Sequence, residues 1–204
     1  MLITPLLATD RSLMTALRTA TAAAHRDIEG VAVMQALLAG NLPRSGYLRL
    51  LNLLYHFHLP LDKEIEQHSY WQQRDFDIRL RRKSDWLEQD IQALGGEIAC
   101  ELPAFTLPPL QTTEQLMGCL YVMEGSSLGA VSISKLLREH YGYDSETGGR
   151  FYAAYGKQTR PFWDETTQLI EQAASQPNFN SNDCTQAAHD TFLTYHTVMS
   201  FYAP

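Results

Sequence analysis

Apolar residues recur at three- and four-residue intervals along nearly the whole chain, and runs of alternating Val, Ile and Thr bounded by turn dipeptides do not occur. That period suits helices and leaves no basis for a sheet. The expected fold is all-α, a single-domain bundle of about seven helices. No linker, repeat or composition break divides residues 1–204, so they read as one domain.

Local signals mark the helix ends. Asp10 or Ser12 caps a first helix with Leu13, Leu17, Thr21, Ala24 and Ile28 on one face, and Gly30 stops it. A short helix follows over Val31–Ala39. Pro43 and Ser45 open a long helix carrying Leu48, Leu51, Leu54, Phe57, Leu61 and Ile65, with a kink expected at Pro60. Its middle is apolar nearly all round, which predicts a central position. Phe76–Leu94 reads as one amphipathic helix ending at Gly95-Gly96, and a loop with Pro103, Pro108 and Pro109 comes next. Thr112 and Gln115 have the spacing of a capping box. They start a helix to His140 that Gly125 and Gly129 interrupt in sequence. Phe162–Ala174 and Asn182–Tyr202 complete the set.

The formal net charge of -7 argues against nucleic acid or an anionic membrane surface as partner. No stretch of 18 or more apolar residues suggests a membrane span. Met1–Asp10 lacks a basic region and a cleavage pattern, so no signal peptide is expected. Cys100, Cys119 and Cys184 are scattered and odd in number, which suits a reducing cytoplasm rather than a disulfide framework. The expected protein is soluble and cytoplasmic.

Three segments carry chemistry. His25 shares a helix face with Arg18, Thr21 and Glu29. An imidazole is a common axial ligand to heme iron, and a neighbouring acceptor orients its second nitrogen. The same residue also reads as a surface histidine near a helix end. The second segment is Leu120–Ala130, where Gly125 and Gly129 lie four residues apart with Ser126 and Ala130 beside them. Glycine in a helix interior costs about 1 kcal/mol relative to alanine, so the pair needs a reason. A bare strip of backbone admits either a flat ligand or a closely packed helix. The third is Tyr55-His56-Phe57-His58. Two histidines at this spacing point about 200° apart on a helix and do not share a metal. One is expected in the core and the other elsewhere. The chain contains no Glu-x-x-His, HExxH, GxxxxGK[ST] or GxSxG pattern.

Taken together the segments resemble the heme oxygenase family, and within it the bacterial biliverdin-producing, phytochrome-associated branch. Leu17–Thr21 followed by His25 and Glu29 is similar to the family's first-helix signature. Tyr121–Gly129 resembles the glycine-rich helix of the bacterial members. Tyr55-His56 with Glu64-Ile65-Glu66, and Gly148–Gly156 with Phe162-Trp163, extend the likeness in order along nearly the whole chain. Two departures stand out. Ala130 replaces the second of two adjacent glycines, where its methyl would crowd the ligand. Ser126 stands where many animal members have aspartate, and His58 where they have tyrosine.

The resemblance implies a single heme oxygenase-like domain with heme held between the first helix and a kinked distal helix. His25 would be the axial ligand, with Arg18, Thr21, Glu29, Tyr121 and Ala130 around the heme. Arg18 would meet the anionic propionates, and Lys157 and Arg160 are further candidates. Gly125, Ser126 and Gly129 would form the wall where ring opening takes place. Heme would be substrate and cofactor together, giving biliverdin, carbon monoxide and ferrous iron. Electrons would come from an external donor, a reductase or a ferredoxin-type protein, and a bilin-accepting protein would take the product. Two other readings remain open here: a protein of the same fold that stores, transfers or senses heme, and a different enzyme on a similar bundle.

Overall fold

The computed structural model describes residues 12–100 and 105–202. Among these, eight α-helices and no strand occur: α1 (Leu13–Glu29), α2 (Ala32–Leu38), α3 (Arg44–Gln67), α4 (Ser84–Ala93), α5 (Thr113–Tyr141), α6 (Arg150–Ala153), α7 (Thr159–Ala174) and α8 (Ser181–Ser200). The all-helical expectation holds, with the four-residue α6 as the addition. Asp10 and Pro103 lie outside the described residues. Ser12 occupies the cap position of α1, but its hydroxyl faces Thr15 Oγ1 at 3.2 Å rather than a backbone N–H.

α3 is central, as its composition predicts. Leu53, Phe57, Leu61 and Ile65 face one core cluster with α1, α5, α7 and α8. Leu50, Leu51, Leu54 and Tyr55 face a second with α2, α4 and α6. Each fully buried leucine contributes about 1.5–3 kcal/mol. The helix continues through Pro60 as one element.

α5 starts at the expected capping box: the Thr112 hydroxyl accepts from Gln115 N, and the Gln115 side chain accepts from Thr112 N. It runs past Gly125 and Gly129 without interruption and ends at Gly142, whose φ of 71° is a left-handed stop. By length and composition α5 would suffice to cross a membrane, contrary to the expectation that no such stretch exists. It serves instead as a core helix against α7 and α8. Its approach to α8 depends on Gly118. A Cβ there would collide with the Cys184 carbonyl oxygen and lie 2.7 Å from the Ala188 nitrogen.

The largest departure from expectation is Phe76–Leu94. Only Ser84–Ala93 is α-helical; Ser69–Gln73 and Ile78–Arg81 are short 3-10 turns, and Arg82 is extended (φ -64°, ψ 120°). The reason is electrostatic. Arg81 and Lys83 are both buried and both bond Glu124 of α5. On a continuous helix they would point about 200° apart. One extended residue between them puts both side chains on the same side.

Two buried aspartates cap helices from a distance. Asp62 of α3 accepts from Lys83 N (3.0 Å) and Ser84 N (2.8 Å) at the start of α4. Asp90 of α4 accepts from Arg150 N (2.6 Å) and Phe151 N (2.8 Å) at the start of α6. Burial pushes each carboxyl up to about 6, against the downward pull of those N–H groups.

Two outcomes follow. Gly118→Ala should lower stability by about 1–3 kcal/mol or more in thermal or urea unfolding, because the neighbouring atoms are backbone. For Asp90, a folded pKa of about 6, above the ordinary aspartate value of 3.8, gives stability that is full below the lower value and lost as pH rises through 6. Asp90→Asn should therefore cost about 1 kcal/mol more at pH 5 than at pH 8. Unfolding curves of both proteins at the two pH values would show it, and an equal cost would disprove it.

Candidate functional site

α1 turns Leu13, Leu17, Thr21 and Ala24 inward and leaves His25 on the rim. The His25 side chain is 58% exposed, and its Nδ1 lies 3.5 Å from Glu29 Oε1, one turn on. Its ring meets Phe192 of α8 edge-on, with centroids 5.8 Å apart. The carboxylate and the phenyl ring flank the imidazole. With Nδ1 turned to Glu29, Nε2 is the nitrogen available to a metal.

Thr21 is buried, and its hydroxyl donates to the Leu17 carbonyl at 2.8 Å. Tyr121 of α5 is half-buried beside Thr21 and Arg18. Burial raises its phenol above the ordinary range, against the opposing pull of Thr21 and Arg18, so it stays protonated. α1 and α5 thus meet at Tyr121. Arg18 is exposed and makes no ion pair among the described residues. Lys157 and Arg160 are also exposed, and Arg160 pairs with Asp164 at 2.8 Å.

The two glycines of α5 have different surroundings. A Cβ at Gly125 would lie 3.3 Å from Trp163 Cζ3 of α7, whose ring also sits 5.7 Å from that of Tyr121. A Cβ at Gly129 would meet nothing within 4 Å. Ser126 and Gly129 are exposed, as are the apolar side chains of Leu128 and Val131. The Ser126 hydroxyl donates to the Met123 carbonyl at 2.8 Å. Ala130, one step of about 100° round the helix from Gly129, is buried in the second core cluster. Its methyl belongs to the core, and this corrects the expectation that it crowds a ligand.

Sequence reasoning passed over Glu124, although it lies inside the motif. It is 3% exposed. Lys83 Nζ donates to it at 2.6 Å, Arg81 Nη1 at 2.9 Å and the Tyr155 hydroxyl at 2.8 Å. Burial alone would raise its carboxyl; Lys83 and Arg81 outweigh that and hold it below the ordinary range. One signal was available: a lone carboxylate in an apolar helix run needs a buried partner. Its partners were hidden in Arg79-Leu80-Arg81-Arg82-Lys83, which resembles a solvated basic run. Phe192, the support of His25, carried no sequence signal.

The two histidines of α3 separate as their spacing predicts. His56 is half-buried, with Nε2 2.8 Å from the Ala99 carbonyl oxygen. His58 is buried, its ring edge-on to Phe57 and Phe151, and neither nitrogen has a partner among the described residues. Burial, with Lys83 nearby, lowers its pKa well below the ordinary value and keeps it neutral. A cleft of about 720 Å³ opens at the end of α1 beside His25, lined by Ala24, Asp27, Gly30, Val31, Leu193 and His196. That volume is within the range of small-molecule sites, though His25 itself does not line it.

These residues fit an iron macrocycle. They offer an accessible imidazole beside a carboxylate, an exposed cation two turns back along α1, and uncovered backbone with an exposed apolar neighbour. The heme oxygenase family profile matches residues 11–200. A heme oxygenase of Xanthomonas campestris pv. campestris is 27% identical over 174 residues, 82% of this chain and 97% of that protein. The NO- and CO-bound heme oxygenase of Neisseria meningitidis superposes with a TM-score of 0.76 at 22% identity, covering 94% of this chain and 92% of that one. Heme oxygenase-1 of Synechocystis, solved with heme, gives 0.67 at 16% identity, covering 92% and 90%. The family's profile spans nearly all of the sequence and its fold is the fold described above, so this chain belongs to the heme oxygenase family.

Proposed function

We propose that this protein binds heme through His25 and opens the ring to biliverdin, with release of carbon monoxide and ferrous iron. The observation that carries the reading is an exposed His25 with Nδ1 facing Glu29 on α1, together with a Gly129 backbone on α5 that nothing covers. Bound heme supplies both the redox-active iron and the carbon framework that is oxidised. The chain supplies position. Glu29 orients the imidazole and raises its basicity. Arg18 is placed to meet an anionic propionate. Gly129 lets a flat ring approach the main chain, and Ser126 puts a hydroxyl at the same exposed edge. Tyr121 keeps its proton and closes the narrow end, where α1 and α5 meet.

Oxygen and an external electron donor, a reductase or ferredoxin-type protein, complete the reaction. The resemblance of Tyr121–Gly129 to bacterial members suits a place in the phytochrome-associated branch, with the bilin passed to an acceptor protein in the cytoplasm, and release of iron for acquisition is the alternative use of the same reaction. The net charge of -7 suits neither nucleic acid nor an anionic membrane as partner. A storage or sensing role rested on the Ala130 methyl as an obstacle, and its place in the core removes that ground.

Aerobic incubation with hemin and a reductase should bleach the Soret band and yield a pigment that co-elutes with biliverdin. A ferrous-oxy complex that only autoxidises would overturn ring opening. His25→Ala should abolish the imidazole-ligated iron spectrum, and an unchanged spectrum would remove His25 from the site. Gly129→Ala separates stability from function. It should stabilise the ligand-free protein by about 0.5–1 kcal/mol, since nothing opposes the new methyl, yet weaken hemin binding or slow ring opening. Improved stability with unaltered hemin handling would place the ligand elsewhere.

A further inference from the structure

Glu124 immediately precedes Gly125 and lies about 140° round α5 from Gly129. It touches no open face of the helix; its carboxylate is buried among Lys83, Arg81 and Tyr155. Arg81 does more than neutralise it. The same guanidinium donates to the Phe162 carbonyl at 3.0 Å and to Thr166 Oγ1 at 3.2 Å, and it pairs with Glu165. Phe162 is the residue before Trp163, and Trp163 is the ring lying against Gly125. One guanidinium therefore holds both the carboxylate ahead of the glycine and the carbonyl ahead of the indole. Lys83 fixes the other carboxylate oxygen from the start of α4, itself held by Asp62. A cavity of about 10 Å³ among Asp62, Arg81, Lys83 and Glu124 leaves room for one water and little movement.

We propose that Glu124 is a positioning residue: with Arg81 and Lys83 it sets how far the Trp163 ring stands over Gly125, and so how much of the Gly125–Gly129 face remains open to the ligand. This rests on the proposed heme site but adds to it, because it assigns the width of the slot to charges outside it. A whole buried ion-pair cluster is often replaceable by apolar groups of similar size, so net stability alone does not account for this one. What it adds is a fixed rotation of α5 relative to α7. Charge-assisted bonds of defined direction can hold that rotation more tightly than apolar contact.

The test compares wild type, Glu124→Gln and Tyr155→Phe. The first removes the charge with little change of shape, and the second deletes one hydroxyl contact and is the milder change should the first fail to fold. Hydrogen exchange is measured on the ligand-free proteins, with hemin affinity and hemin consumption measured on the same preparations. Both variants should speed exchange in peptides covering 121–130 and 160–166, Glu124→Gln by about tenfold, while α2 and the first half of α3 stay within about twofold. Consumption at saturating hemin should fall about tenfold or more in Glu124→Gln with affinity changed less than about threefold, the signature of lost positioning rather than lost binding. Faster exchange spread evenly over all helices, or none in 121–130, would overturn the assignment. Failure of wild type to consume hemin would instead refute the ring-opening reading, and exchange would still judge the clamp.

Discussion

A carboxylate that is 3% exposed in the middle of an apolar helix must be met by cations, because an unpaired charge in the interior costs several kcal/mol. Glu124 imposes that demand, and much of the architecture is its consequence. Arg81 and Lys83 come from one short segment, and the segment gives up helical geometry to deliver both. Lys83 then begins α4, so the backbone at that point is caught between Glu124 and the cap from Asp62. Tyr155 brings the end of α6 to the same place, and Arg81 brings α7. Three side chains meet the carboxylate directly, and through them α3 and α7 are tied to the same point.

The three inward or outward glycines of α5 show how one helix uses the same residue for different ends. At Gly118 the missing side chain allows backbone of α8 to approach; at Gly125 it admits the edge of an indole; at Gly129 it faces open space. The propensity penalty is similar at each. Only the third lacks a protein partner to account for it, which is why the functional reading concentrates there. Close packing through small residues, the other reading open for the Gly125–Gly129 strip, applies to Gly118, seven residues upstream.

Helix number, the central place of α3, the capping box at Thr112 and the split fates of His56 and His58 were legible because each follows from spacing alone. So was the face shared by Arg18, Thr21, His25 and Glu29, since i, i+4 neighbours are local. What spacing cannot carry is pairing across the sequence. Nothing local marks Arg81 and Lys83 as buried, because their partner lies about 40 residues away. Ala130 looked like part of a ligand strip because adjacency along a motif was mistaken for a shared face, while one residue turns a helix by about 100°. Trp163 and Phe192, which support Gly125 and His25, depend on where α7 and α8 pass.

The exposed part of α5 sharpens the case for a large flat ligand. Core helices keep apolar side chains covered, yet this one leaves Leu128 38% exposed about 100° round from Gly129, a glycine with no neighbour, and Val131 53% exposed on the other side. A helix meant only for solvent would place charges there, and one meant only for packing would have its partner. The section upstream has partners: Gly118 against α8 and Gly125 against Trp163. α1 and α5 meet at Thr21 and Tyr121, and His25 follows one turn after Thr21 along α1. The rigid aromatic macrocycle proposed above, with a metal at its centre, would cover apolar surface with its face and meet the imidazole at its metal. A smaller polar ligand would leave the exposed leucine unexplained. The ligand, on this argument, completes a core that the chain deliberately leaves one layer short.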